Sequence, residues 1–249
     1  MAGAGGVPLS AEEEAWLRDA AGTLADTSRY HSSRIAPAAL APLSAKVLPT
    51  WPPSHLLPVL DLLRVAFCHP SGAEAAAALP ALLPAVWRVA GSAGEGERPV
   101  ALLAARLLYN MLKSAPGRGA LLRALGALTA AASALLRFPH ASVALGGSVV
   151  LHNLARALSE GAGAGLAAGA PGDFAAVLAL AAQALGSSEE DVRLNALRAL
   201  GTLLCIDAEG ARSWSTAAKA SGLQATVAGL RSGKTEAAAR EVLKVLELE

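Results

Sequence analysis

Two arginines and two asparagines carry the spacing in this chain from which chemistry can be argued. Arg64 and Arg106 lie 42 residues apart, and Asn110 and Asn153 lie 43 apart. A guanidinium grips a carboxylate or a backbone carbonyl in fixed geometry. An asparagine amide offers donors and an acceptor at once, so it can hold the N–H and C=O of an extended chain without reading its side chains. Groups of this kind, repeated at a fixed interval, suit the holding of a peptide rather than its cleavage. Plainer readings stay open beside that one. The arginines can be solvated residues on apolar helices, and the asparagines can be spacers bonding the backbone of a neighbouring helix.

Other reactive side chains lack a partner at useful spacing. His55, His69, His140 and His152 show no metal-ligand spacing with cysteine or carboxylate and read as surface or satisfied histidines. Ser232-Gly233-Lys234-Thr235 has the ending of a phosphate-binding loop, but Ala228 stands where its first glycine is required and no strand precedes it. There is no GxSxG nucleophile elbow. The expectation is a non-enzyme with no catalytic residues, no metal and no cofactor. Cys68 and Cys205 are too few for a disulfide framework and read as buried, reduced thiols, which favours a cytoplasmic or nuclear home.

The elements that position these residues are helical. Residues 56–70 (LLPVLDLLRVAFCHP), 102–112 (LLAARLLYNML), 141–158 (ASVALGGSVVLHNLARAL) and 191–204 (DVRLNALRALGTLL) recur at about the 40–47 residues of a HEAT or armadillo repeat. Sustained period-two runs of strand formers are absent from the sequence. One such repeat cannot bury its own apolar face, so several must stack. The expected fold is all-α, an armadillo-like α-solenoid, a superhelix of about five or six helical repeats. Hydrophobic content of 53% against only 4% aromatic favours close packing of Ala and Leu over a core built on rings.

Breakers set the boundaries. Ser10 with Glu13 forms a capping box that starts a first helix, with Trp16, Leu17 and Leu24 expected inside. Pro37, Pro42, Pro49, Pro52 and Pro53 make residues 26–55 irregular, as an N-terminal arm on the solenoid or a linker, with a short helix over about 38–48. The expected division is an N-terminal helix plus Pro-rich arm over 1–50 and a repeat domain over 51–249. Pro70-Ser71-Gly72 closes one helix, Ala115-Pro116-Gly117 reads as a tight turn, and Ser187 with Glu190 reads as another capping box. The small-residue stretch 161–173 reads as a flexible insertion.

Charge and hydropathy remove further classes. A net charge of +1 gives the whole chain no drive toward nucleic acid or an anionic membrane. Mean hydropathy is +0.43, yet Arg123, Arg137, His152 and Arg156 cut the apolar runs well short of the ~20 residues of a membrane span. The N-terminus MAGAGGVPLS lacks the basic and apolar regions of a secretory signal.

Taken in order, LLPVLDLLRVAFCHP, LLAARLLYNML, LHNLARAL and ALGTLLCIDAEGARSWSTAAKASGL resemble the PUL domain over about residues 50–249. This is the armadillo-like module at the C-terminus of phospholipase A2-activating protein, with relatives in plant proteins that carry thioredoxin or PPPDE peptidase domains. The resemblance implies a basic concave groove that binds the disordered C-terminal tail of valosin-containing protein, a hexameric AAA+ unfoldase, in ubiquitin-dependent protein turnover. The positions that match are Arg64, Arg106 and Asn110, with Asn153 in the next repeat. Asn195 falls where the family often has another groove arginine. Arg198, three residues on, is the expected replacement, and Arg193 is less well placed. A monomer without nucleic-acid or membrane partners is expected. The alternative is a scaffold or substrate-adaptor domain of a larger thioredoxin- or peptidase-containing protein.

Overall fold

The computed structural model describes residues 6–26, 28, 32–162, 171–205, 208–230 and 233–247. These residues are all-helical, with no strand among them. They divide into two compact units, residues 1–124 and 125–249, each with its own helical packing. No single described helix is long and apolar enough to cross a membrane.

The first unit opens with α1 (Ala11–Ala25). Its capping box forms as expected. Glu13 N donates to Ser10 Oγ at 3.2 Å, and Ser10 N donates to the Glu13 carboxylate at 2.7 Å. Lys46 Nζ also reaches that carboxylate, at 2.7 Å, and its ammonium group, together with the Ser10 N–H, holds the Glu13 carboxyl below the usual range. One local motif is thereby tied to a residue 33 positions away. The inward facing expected of α1 is not observed for Trp16, which is exposed, while Leu17 and Leu24 are half-buried and Ala20 alone is fully buried in this helix. Its first turns carry Glu12, Glu13, Glu14, Arg18 and Asp19, too polar for a wide apolar stripe.

Within the stretch expected as an arm or linker, the chain is helical from Pro37 to Thr50. It runs as α2 (Pro37–Pro42), a π-helical turn (Leu43–Val47) and α3 (Leu48–Thr50). Pro42 lacks an N–H and its ring crowds the preceding turn, and the chain passes into the wider π turn directly after it. Leu40, Leu43, Val47 and Leu48 are buried, so this stretch belongs to the core of its unit. Residues 27 and 29–31 lie outside the described residues.

Four of the five helices that complete the unit, α4 (Leu57–Ala66), α5 (Pro70–Ala77), α6 (Leu82–Ser92), α7 (Arg98–Met111) and α8 (Ala115–Leu122), pair α4 with α7 and α5 with α8. In α4 the buried positions Val59, Leu60, Leu63 and Ala66 follow the i, i+3, i+4, i+7 pattern of one helical face. Two sharp corners are built alike. A Cβ on Gly72 would overlap the carbonyl of Ala66, and a Cβ on Gly117 that of Met111, the last residues of α4 and α7. Ala115-Pro116-Gly117 is accordingly the first turn of α8 rather than a separate tight turn. Ser114 caps it, its Oγ accepting from Gly117 N at 3.1 Å. Proline fits there because the first-turn N–H groups have no partner within the helix.

The second unit holds α9 (Leu125–Arg137), α10 (Ala141–Ala162), α11 (Pro171–Leu185), α12 (Glu190–Leu204), α13 (Ala208–Ala220), α14 (Leu223–Ala228) and α15 (Glu236–Glu247). Helix α12 is central, packed on α10, α11, α13 and α15. Its buried face reads Val192, Ala196, Leu197, Ala199, Leu200, Leu203 and Leu204. Gly147 lets α10 approach α9, since a Cβ there would stand 3.0 Å from Leu136 N and 3.1 Å from Leu135 Cβ. Ser133 and Gln183 join α9 to α11 by a reciprocal pair. Ser133 Oγ donates to Gln183 Oε1 at 2.6 Å, and Gln183 Nε2 donates to Ser133 O at 2.8 Å.

The capping box expected of Ser187 and Glu190 does not form. The N-cap of α12 is Glu189, Ser187 Oγ accepts from Glu189 N, and the Glu190 carboxylate instead accepts from Lys234 N at 2.6 Å. Lys234 Nζ also bonds Asp191 at 3.0 Å, so the Gly233-Lys234-Thr235 segment is held by acids, the opposite of a phosphate cradle. Most of the 161–173 insertion and Ser232 lie outside the described residues.

Candidate peptide-binding residues

In the first unit α4 and α7 bring Arg64 and Asn110 together through the arginine's backbone. Asn110 is buried, and its Nδ2 donates to the Arg64 carbonyl at 3.0 Å. That carbonyl sits in the last turn of α4, where carbonyls run out of helical partners. The Cys68 N–H turns back to Val65 O, and the Cys68 thiol donates to Arg64 O at 3.5 Å. Lys113 Nζ donates to Asn110 Oδ1 at 3.3 Å, so both ends of the amide are engaged. Geometry of this kind is what a helix–helix spacer makes.

The Arg64 side chain is half-buried and already paired. Its guanidinium bonds Asp61 Oδ1 through Nε at 2.8 Å and through a terminal nitrogen at 2.7 Å. Asp61 was legible in the sequence as an acid three residues before an arginine on a helix, and it sets the charge available at this position. A partly exposed pair of this kind is worth only about 0–1 kcal/mol, so an incoming carboxylate can compete for the guanidinium. Arg106 is in a different state. It is exposed on α7 one turn before Asn110, on the same helical face, and no hydrogen bond or ion pair joins its side chain to another described residue. Lys113 lies 5.5 Å from the Tyr109 ring centroid, within cation–π range, and adds a further positive charge beyond the end of α7.

In the second unit Asn153 is half-buried on α10 and Arg198 is exposed on α12. The Arg198 guanidinium has no acid partner among the described residues. Asn195 is bound to α10, its Nδ2 donating to Ser148 Oγ at 3.0 Å, a second inter-helix bond from an asparagine about one repeat beyond Asn153. Arg193 is turned to the carbonyls of Ser187 and Ser188 at 2.7 and 2.9 Å. His152 lies half-buried beside these groups. Burial first, then the charges of Arg198 and Arg156, hold its pKa below the ordinary histidine value. From the sequence His152 reads as a surface or satisfied histidine, because it has no metal-ligand neighbours; its i, i+4 relation to Arg156 is the signal the sequence offers.

Both cysteines are exposed rather than buried: Cys68 lies just past the end of α4 and Cys205 just past that of α12, each beyond the face its helix buries. Trp51 is half-buried and its Nε1 donates to Val7 O at 3.1 Å, while Trp214 is buried in α13. Among the described residues no group of three or more His, Cys, Asp or Glu side chains is placed to hold a metal ion.

The model of the PUL domain matches residues 3–245. No curated protein matches the chain by sequence. Solved structures of similar fold include a designed armadillo repeat protein in complex with the peptide (KR)4, at 17% identity and a TM-score of 0.65, covering 94% of this chain and 92% of that one. Another designed armadillo repeat protein matches at 18% identity and a TM-score of 0.64, covering 97% and 96%. Computationally designed armadillo repeat proteins for modular peptide recognition match at 18% identity and 0.64, covering 96% and 94%. The fold class is therefore an armadillo-like α-solenoid.

Proposed function

The chain belongs to the PUL domain family, a protein-interaction domain, and from that premise we propose that it binds the acidic, extended C-terminal tail of the AAA+ unfoldase valosin-containing protein, in ubiquitin-dependent protein turnover. The observation that carries this reading is Arg106, an exposed arginine with no acid partner among the described residues, one helical turn from the buried strut between Asn110 and Arg64. A long cationic side chain left unpaired on a braced helix is ready to meet a carboxylate, since no existing ion pair must first be broken. Arg64 joins when a ligand carboxylate displaces or shares the Asp61 contact. Arg198 is the corresponding unpaired cation of the second unit, with Asn153 on the adjoining helix.

Armadillo-like neighbours that hold peptides support the class of ligand, and the charges of this chain select its sign. A similar designed protein is in complex with the basic peptide (KR)4. Here the candidate positions are arginines, so an acidic tail is the complement. A net charge of +1 does not oppose this, because a few unpaired cations set a local potential whatever the total. Asn110 enters as a positioning residue, its amide being engaged between Arg64 O and Lys113.

Affinity is expected in the micromolar range, because a disordered tail loses conformational entropy on binding. Isothermal titration of the tail peptide against wild type, Arg64→Ala, Arg106→Ala and the control Arg240→Ala tests the reading. Arg240 is paired with Glu236 on α15 at 2.7 Å and should not respond. Removing Arg106 should cost about 1.5–3 kcal/mol of binding. Equal affinity in all four proteins would remove the assigned site. Failure of the wild type to bind would leave the fold intact and favour the scaffold role.

A further inference from the structure

The second unit carries a basic cluster in which one member is a half-buried histidine whose pKa lies below the ordinary value. On α10, Ser148, His152 and Arg156 succeed one another at intervals of four and share one helical face. On α12, Asn195 and Arg198 do the same at an interval of three. The bond from Asn195 Nδ2 to Ser148 Oγ fixes the register of these two stripes. One turn further along each helix, His152 and Arg198 come within electrostatic range of each other.

The charges around His152 are one-sided. Arg156 acts on it from its own helix and Arg198 from α12, and no carboxylate among the described residues acts on it. Glu160 is turned to Arg156 at 3.1 Å, in a pair exposed on both sides. Asp191 and Glu190, the acids of α12, are engaged by Lys234. Of the other helices packed on α10, the described side chains of α11 (175–185) include no charged residue. Helix α9 has only Arg137, which donates to Ser133 Oγ at 2.6 Å. His152 itself makes no hydrogen bond to another described residue. Burial of this imidazole, and then the charges of Arg198 and Arg156, disfavour its charged form relative to an ordinary histidine. A ligand carboxylate placed among the three groups would reverse that balance.

We propose that His152, Arg156 and Arg198 form a carboxylate subsite for an acidic peptide, and that His152 takes up a proton when the peptide binds. This rests on the acidic-tail reading above and adds to it the His152 contact and a pH response. In the free chain burial, and then the cost of a third positive charge, disfavour the imidazolium. A bound carboxylate supplies the missing negative charge, so the imidazolium is favoured and donates an N–H to it. Linkage then requires affinity to rise as pH falls through the bound-state titration of His152. The rise continues only until the peptide's own carboxylates protonate, at about pH 4 to 5.

The test uses the whole chain and the tail peptide of valosin-containing protein. Titrations are run at pH 7.5 and pH 6.0, at each pH in two buffers of different ionisation enthalpy, so that the observed heat reports protons exchanged. Wild type is expected to bind about three- to tenfold more tightly at pH 6.0, with a net uptake of less than one proton. His152→Gln should bind more weakly than wild type at pH 6.0 and lose both the pH response and the uptake. Arg198→Ala should weaken binding roughly tenfold or more, and Arg198→Lys should restore part of that loss. Circular dichroism and thermal melts establish that each variant is folded, and Arg198→Lys keeps the test informative if one alanine variant is not. Wild-type binding that depends on Arg106 but shows no proton uptake and no loss in Arg198→Ala overturns this subsite and leaves the acidic-tail reading in place. Absence of wild-type binding at both pH values overturns both.

Discussion

Asn110 and Arg64 meet through an amide and a carbonyl, Nδ2 to O at 3.0 Å, across 46 residues of sequence. The bond closes the C-terminal end of α4 onto α7, and the Asn110 side chain that makes it is buried. Asn110→Ala removes the donor, leaves the Arg64 carbonyl dependent on the weak Cys68 thiol contact, and opens a small space. Asn110→Ala is expected to destabilise the protein by about 1–3 kcal/mol, read as a lower urea midpoint at unchanged slope. An unchanged midpoint with weakened peptide binding would mean that the amide faces a ligand instead.

The two glycine corners should be intolerant of any side chain. Gly72→Ala and Gly117→Ala each force a methyl against a backbone carbonyl, that of Ala66 or Met111, which cannot rotate away. A loss of about 2–3 kcal/mol is expected for each, from the strain of overpacking a closed corner. Gly126→Ala is the control, since nothing lies within 4 Å of a Cβ at that position. Thermal melts of the three variants distinguish a corner effect from a general loss of glycine.

His152 should leave a mark on stability as well as on binding. Its folded-state pKa lies below the ordinary value, so between about pH 6.5 and that lower value the unfolded chain binds more protons than the folded one. The contribution of His152 to stability is therefore complete above about pH 6.5 and declines as pH falls below it. Urea titrations of wild type at pH 7.5 and 5.5 should show a larger loss on acidification than those of His152→Gln. Equal losses would show that His152 is not the group responsible.

Cys68 and Cys205 are exposed, and both should react with an aromatic disulfide reagent in the native protein. Modification of Cys68 is expected to be the more disruptive, because its thiol sits at the Arg64 carbonyl that Asn110 also holds. Labelling seen only in denaturant would restore the buried-thiol reading.

Much of the fold was legible because it is written in local periodicity. The apolar spacing in LLPVLDLLRVAF and LLAARLLYNML determined helices, and their recurrence at 42 to 43 residues determined a stacked repeat architecture. The pair Ser10 and Glu13 determined where α1 begins. These features depend on neighbours within one or two turns, and hydrogen bonding from i to i−4 makes such information local. Residue type and spacing likewise marked Arg64, Arg106, Asn110, Asn153 and Arg198 as candidates.

What the tertiary structure decided was the partner each side chain takes, because a partner 40 residues away is fixed by packing and not by spacing. It engaged the Asn110 amide at the Arg64 carbonyl and the Asn195 amide at Ser148. It left Arg106 without an acid partner among the described residues, whereas the pairing of Arg64 with Asp61, three residues away on the same helix, was legible in the sequence. It set Glu190 against Lys234 where a capping box was expected, and it placed Trp16 and the two thiols at the surface. It also folded the prolines of 37–50 into a helical stretch, because burial of Leu40, Leu43 and Val47 outweighs the hydrogen bond that Pro42 cannot make. Burial and hydrogen-bond choice are competitions among all the surfaces present, and the sequence of one helix contains only one of the competitors.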